Sequence, residues 1–338
     1  MNKNLGRQSV AFENCITVTS VASVVGKKEG EGPLGARFDE VHEDAMLGKK
    51  SWEQGEAEFL KKALEKAAEK ASLTQADIDY VVAGDLMNQS TSSSFVLRDM
   101  PVPFFGIFGA CSAFGEGLGL GSVILDGGFA RHVLVGAASH FCAAEKQFRF
   151  PLELGGQRPL TATWTVTGAG AAVLSLGGEG PYVRGITTGK IIDMGVKDMA
   201  NMGAAMAPAA ADTMAAHLRE FGRSPGYYDV IATGDLGYVG RELVVELMAE
   251  QGYDIRANYT DCGIEIYDQQ TQDTHSGGSG CACSAVTFAA MYYPKLVSGE
   301  LRRVLLIPTG ALGNQTTALQ GESIPGIAHA VVIESAGA

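Results

Sequence analysis

The chain carries no run of lysine or arginine, and its formal net charge over 338 residues is −12. A surface of that sign offers little to neutralise a phosphate backbone, so nucleic acid is excluded as an expected partner. Paired cysteines are missing too: Cys15, Cys111, Cys142, Cys262, Cys281 and Cys283 are scattered, with no CxxC spacing. That pattern argues against a disulfide framework or a zinc cluster and for reduced thiols in a cytosolic compartment. Cys281 and Cys283 form a CxC with no second paired site, so neither a metal nor a cofactor is expected. No window reaches the ~18 consecutive apolar residues that would span a bilayer. The opening MNKNLGRQSV lacks the apolar core of a signal peptide. A dinucleotide fingerprint is also absent: after Gly115 and Gly117 it needs a glycine at position 120, where the residue is Leu120.

What is present reads as a large α/β core. Hydrophobic residues make up 46% of the chain and charged residues 19%, a balance that buries a sizeable interior. ITVTSVASVVG (16–26), IDYVVAGDL (78–86), HVLVGAAS (132–139) and GAAVLSL (170–176) have the apolar, β-branched character of strands. Between them, Ser51 and Gln54 form a capping box, and Leu60, Ala63, Leu64, Ala67, Ala68 and Ala71 follow at helical spacing. Residues 26–50 are expected to be an exposed loop. Residues 141–166 are expected to form an aromatic, arginine-bearing loop of the kind that carries function.

The second half of the chain repeats the first. IDYVVAGDL (78–86) matches YDVIATGDL (228–236), GACSA (109–113) matches CACSA (281–285), ARHVLV (130–135) answers LRRVLL (301–306), and TGAGAAVLSL (167–176) answers PGIAHAVVIE (325–334). Matches in the same order mean an internal duplication, so the expected domains are residues 1–178 and 179–338, packed about a pseudo-twofold axis. Glycines at 115, 117, 119 and 121 follow Cys111. Each lowers helix stability by roughly 1 kcal/mol relative to alanine, so they predict a helix in close contact with a second helix at that axis.

This duplicated chain, with a helix-leading Cys111 and a later His275 in the turn THSGGSG (274–280), resembles the thiolase superfamily of thiolases and ketoacyl synthases. The resemblance implies a thiolase-like α/β fold, two duplicated αβ halves in a five-layered arrangement. The phrases VAGDLMNQ, FGACSAFGEG, QRPLTATWTVTGAGAA, DTHSGGSGCACSA and GIAHAVVIE look like those of the stage V sporulation protein AD family of endospore formers. That likeness implies a non-catalytic protein binding dipicolinic acid, with calcium as a companion ion, during loading of the developing spore. It also implies a homodimer, A-group stage V sporulation membrane proteins as partners, and a place in the cytoplasm or on the forespore or spore inner membrane.

In the superfamily the cysteine is acylated, and two further groups activate the substrate. Cys111 falls on the nucleophile position. The His-Gln-Ala-Asn phrase of type III ketoacyl synthases is replaced by DVIATGDLG, which sets Gly234 on the histidine position and Gly237 on the asparagine position. A missing imidazole argues for a cavity that binds, whose expected ligand groups are Asp85, Cys111, His140, Trp164, Thr165, His275 and Asn314. Asp85 is assigned a cation-holding or orienting role, against the plainer reading that it and its echo Asp235 shape a shared turn. Cys111 and His140 have bland readings as core residues, and His217 on an apolar helix face is read as a satisfied core histidine. The alternative function is an acyl-thioester enzyme using Cys111, with Arg149 and Arg158 available to coenzyme A phosphates.

Overall fold

Apolar alternation along the strands places their two faces in different cores. The computed structural model describes residues 3–149, 153 and 156–338. The principal strands are β1 Ile16–Gly26, β2 Tyr80–Gly84, β3 Phe104–Ile107, β4 His132–Ser139, β5 Gly168–Leu176, β6 Tyr182–Thr187, β7 Val230–Thr233, β8 Tyr259–Asp261, β9 Arg303–Ile307 and β10 Ala330–Glu334. They form the main path of a 12-stranded sheet in the order β8-β7-β9-β10-β6-β1-β5-β4-β2-β3. The duplication is visible here: read outward from the middle, β6-β10-β9-β7-β8 repeats β1-β5-β4-β2-β3. The pairing senses repeat as well. Strand β2 runs parallel to β3 and β4, as β7 does to β8 and β9, while β5 and β10 run antiparallel to their neighbours. Only Thr17 and Tyr182 pair across the junction of β1 with β6.

The principal helices are α1 Trp52–Lys70, α2 Ala113–Asp126, α3 Phe141–Phe148, α4 Met202–Phe221, α5 Gly237–Glu250 and α6 Cys281–Thr287. Val81, Ala83, Leu134 and Val173 pack with Phe59, Leu60, Ala63 and Leu64 of α1. Val82, Val133 and Leu174, on the opposite face of the same strands, join Phe114 and Leu118 of α2 and Val286 of α6. That central core also takes Val304, Leu306 and Val331, whereas Leu305, Ile307 and Val332 face Met206, Met214 and Leu218 of α4. The result is five layers, α-β-α-β-α, each sheet half coated on both faces as the strands' apolar character demands.

The glycines of α2 do not serve a helix–helix contact as expected. A side chain at Gly117 would meet Val135 at 2.7 Å and one at Gly121 would meet Leu174 and Val133 at 3.1 Å, all in the first sheet half. A side chain at Gly115 would meet Pro308 at 2.9 Å, and the nearest atoms to Gly119 belong to Ile186, both in the second half. Steps of two residues turn a helix by about 200°, so the alternate glycines let α2 lie close against both sheets at once.

The duplication extends to single hydrogen bonds. Asp79 accepts from the backbone N–H groups of Arg131 and His132 at 2.6 and 3.0 Å, and Asp229 accepts from Arg302 and Arg303 at 2.6 and 2.8 Å. Elsewhere the structure departs from expectation. Residues 26–50 are not simply an exposed loop, because Glu40–His42 pairs with β1 and Glu29 is fully buried, accepting from the N–H of Thr167 and the hydroxyl of Tyr267. The expected loop at 141–166 opens instead with α3, whose N-terminal amides at Cys142 and Ala143 donate to Nδ1 of His140. The part of that segment at 150–152 and 154–155 lies outside the described residues. No helix among the described residues is long and apolar enough to cross a membrane.

Candidate functional site

Cys111 sits in a tight turn, Ala110–Ser112, that leads into α2. Ala110 is held at φ 51°, a left-handed conformation that costs a residue with a Cβ roughly 1 kcal/mol. The turn is closed from within: the hydroxyl of Ser112 donates to the carbonyl of Gly109 at 2.7 Å, as does the Ser112 N–H at 3.2 Å. Gly310, on the short strand Thr309–Ala311, lies so close that a Cβ there would stand 2.4 Å from the Gly109 carbonyl. From the other side the Cys281 thiol donates to the carbonyl of Ala110 at 3.0 Å.

Above this turn opens a cavity of about 630 Å³. Its floor is Cys111 with Ser279 and Gly280, and Thr165 stands beside them. Its walls come from α3 (Ala144, Glu145, Phe148 and the following Arg149), from 197–202 ahead of α4, and from 311–319. Phe108 and Asn88 complete the rim. Trp164–Thr165 pairs in parallel with Gly278–Ser279, which carries Thr165 and Ser279 to the floor together.

The charged group that weighs most on the thiol is Asp235. Asp235 is buried and accepts from the Gly280 N–H at 3.0 Å and the Thr309 hydroxyl at 2.7 Å. Burial pushes its carboxyl up to about 7, and Asp261 nearby adds to the rise. Asp261 is itself held by Thr233, Leu236, Gly237 and Gly263. Burial, and then Asp235 and Cys281, raise the Cys111 thiol well above its ordinary range. A helix N-terminus favours a thiolate, but here desolvation and a neighbouring acid outweigh it. The site therefore holds a neutral thiol and a buried carboxyl, with the Gly280 N–H already engaged.

The alignment set Gly234 on the histidine position, and the structure packs that glycine against Pro308. A Cβ at Gly234 would stand 2.9 Å from Cα of Pro308, leaving no space for a side chain. Its neighbour Asp235 is held by Gly280 and Thr309 and is the acid that weighs on the Cys111 thiol. The expected vacancy beside the thiol is thus occupied by a carboxylic acid.

Of the residues singled out from the sequence, Cys111, Thr165 and Asn314 line the cavity. Asn314 also caps the helix Gln315–Leu319 by accepting from the Thr317 N–H at 3.0 Å. Asp85, His140, Trp164 and His275 are not among the lining residues. Asp85 is buried, and both of its oxygens accept, from the N–H of Met87 and from the N–H and hydroxyl of Ser93. It holds the start of the helix Thr91–Leu97. His140 is buried between the Ala45 carbonyl, 3.0 Å from its Nε2, and the first turn of α3. Trp164 stacks on Phe141 with ring centres 3.6 Å apart, and Lys28 and Arg158 lie over the indole. His275, at φ 52°, turns its ring to the carbonyl of Pro159 and to Asp273. His217 is a satisfied core histidine, bonded to Thr187 and Tyr228.

Sequence reasoning missed Asp235 as a site residue, although its pairing with Asp85 in the repeat was the available signal. It also missed Asn88 and Ser279, although they lie in the quoted phrases VAGDLMNQ and THSGGSG, and Lys197, which carries no motif.

Residues 6–334 match the profile of the family described as stage V sporulation protein AD. Stage V sporulation protein AD of Bacillus subtilis (strain 168) is 44% identical over 335 residues, covering 99% of each chain. Among solved structures the chain is similar to AbyA1, a tetronic acid condensing enzyme, with TM-score 0.62 and 18% identity over 95% of this chain and 100% of that one. Acetamide-bound OleA of Xanthomonas campestris gives TM-score 0.59 at 16% identity, over 96% and 100% of the two chains. For 3-oxoacyl-[acyl-carrier-protein] synthase III of Aquifex aeolicus VF5 the values are 0.57 and 14%, over 94% and 99%. At these identities the likeness is one of fold, and the fold is thiolase-like.

Proposed function

The chain belongs to the stage V sporulation protein AD family, and on that footing we propose that its cavity is a non-catalytic binding site for dipicolinic acid, pyridine-2,6-dicarboxylate, during loading of the developing spore. The observation that carries this reading is the floor of the cavity, where the Cys111 thiol is buried beside a carboxyl instead of an imidazole. Acyl transfer in this superfamily runs through a thiolate made beside an imidazole; here burial and Asp235 work against the thiolate, and the group beside it is a carboxyl. A planar diacid needs room, flat apolar walls and hydrogen-bond donors more than it needs a nucleophile. Phe108 and Phe148 provide aromatic surface, and Asn88, Thr165 and Asn314 provide polar groups.

The same reading gives the ligand calcium as its companion, A-group sporulation membrane proteins as docking partners at the spore membrane, and a second copy of the chain as dimer mate. The last is supported by β3, which ends the sheet with Phe105 exposed and Phe95 and Phe108 exposed nearby, since an open edge is a template for pairing.

Titration calorimetry of the purified chain with pyridine-2,6-dicarboxylate, with and without calcium, and with an isomeric pyridine dicarboxylate is the test. Saturable, isomer-selective binding is expected. Absence of binding overturns the ligand assignment, and an acyl adduct at Cys111 that turns over after incubation with acetyl- and malonyl-coenzyme A overturns the reading in favour of the acyl-thioester enzyme.

A further inference from the structure

The charged side chains in the cavity wall are Glu145, Arg149, Lys197 and Asp198. Arg149 presents its guanidinium fork to Glu145 one turn back on α3, with Nε to Oε2 at 2.7 Å and the second nitrogen to Oε1 at 2.9 Å. The pair is not an ordinary surface bridge. Its side chains are only 21% and 19% exposed, against 45% and 48% for the equally spaced Lys61–Glu65 pair on α1. Taking a paired arginine and glutamate largely out of water is a poor route to stability, so its place in the cavity wall calls for another explanation. Lys197, from the segment ahead of α4, donates to the Gly321 carbonyl at 2.6 Å. Its charge is therefore held by a neutral acceptor. Asp198 is turned into its own loop, accepting from the Ala200 N–H at 2.9 Å.

Resting on the reading of the cavity as a dicarboxylate site, we propose that Arg149 is the receptor for one ligand carboxylate and that Glu145 is a built-in competitor occupying the same fork when the cavity is empty. The planar fork of arginine matches two carboxylate oxygens at once. The Glu145 carboxylate shows that such a group fits there. Ligand entry exchanges one carboxylate for another at Arg149, and the second ligand carboxylate is taken by Lys197. Recognition by two cations from different segments selects a compact dianion over a monocarboxylate, because a single acid can satisfy only one of them.

The test is calorimetric titration of the full chain and its variants with pyridine-2,6-dicarboxylate and pyridine-2-carboxylate, with thermal unfolding as the folding control. Arg149→Lys keeps the charge and loses the fork, so affinity for both ligands is expected to fall about tenfold or more. Glu145→Gln removes the competitor, so affinity is expected to rise about tenfold. Lys197→Gln is expected to weaken the dicarboxylate while leaving the monocarboxylate unchanged. If the unmodified chain binds the dicarboxylate and both Arg149→Lys and Glu145→Gln bind it equally well, the assignment of Arg149 and Glu145 is wrong and the binding reading stands. If the unmodified chain binds neither ligand, the binding reading fails and takes this assignment with it.

Discussion

At pH 8 the Asp235 carboxyl, pushed up to about 7, is ionised, and forming a thiolate at Cys111 then puts two negative charges side by side in a dry pocket. Burial already disfavours the thiolate, and the acid compounds it. Two unit charges about 4 Å apart at an effective dielectric near 20 repel by about 4 kcal/mol, so an ionised Asp235 nearby weighs heavily against the thiolate. Asp235→Asn removes the charge while its amide oxygen can still accept from Gly280 or Thr309, the donors that now hold the carboxylate. Iodoacetamide labelling followed by peptide mass spectrometry reads the effect, with the half-buried Cys15 and Cys142 as internal references. In the unmodified chain Cys111 is expected to label last of the three, because burial and Asp235 both disfavour its thiolate. In Asp235→Asn its rate at pH 8 is expected to rise at least about tenfold with the references unmoved. Labelling of Cys111 at the rate of Cys15 in the unmodified chain, or an unchanged rate in a folded Asp235→Asn variant, would refute the argument that an acid silences this thiol.

His217 makes the chain acid-labile. Burial, with Arg223 nearby, holds it down at about 3, so the unfolded chain takes up its proton first as pH falls. Its contribution is complete above about 6.5 and is lost toward pH 3, amounting to roughly 2 kcal/mol between pH 7 and pH 5. Urea unfolding at the two values should show that loss in the unmodified chain and a shallower one in His217→Gln; equal slopes would count against it. Gly170 of β5 faces α6 so closely that an added Cβ would stand 2.6 Å from both the carbonyl carbon and Cβ of Ala285. Gly170→Ala is expected to destabilise the fold by about 1–3 kcal/mol, read as a lower melting temperature, and an unchanged one would mean that the central layer yields where it is described as tight.

Much of the architecture was legible because it repeats. Asp79 and Asp229 sit at the same offset in the two matched strands, and the structure gives them the same pair of amides to hold. Ser51 was readable as a cap because the amide it serves, Gln54, is three residues away. The candidate site was less legible for the opposite reason. Asp85 and Asp235 also share an offset, yet Asp85 closes a local turn at Ser93 while Asp235 reaches across the chain to Gly280 and Thr309 and weighs on the Cys111 thiol. His140 and His275 have the chemistry expected of ligand groups, and the structure engages them at a helix start and at the Pro159 carbonyl, contacts that no local spacing announces.

The sequence by itself determined the strand and helix order, the duplication, and the position of Cys111 at a helix start, because each of these depends on neighbours within a turn or on a pattern repeated along the chain. Tertiary structure alone decided that α2 is pressed between two sheets, that Gly234 has no room and Asp235 takes the place beside the thiol, and that Glu145, Arg149 and Lys197 share one cavity. Those outcomes depend on which distant surfaces exclude water together, and burial is a property of the assembled layers that no local spacing records.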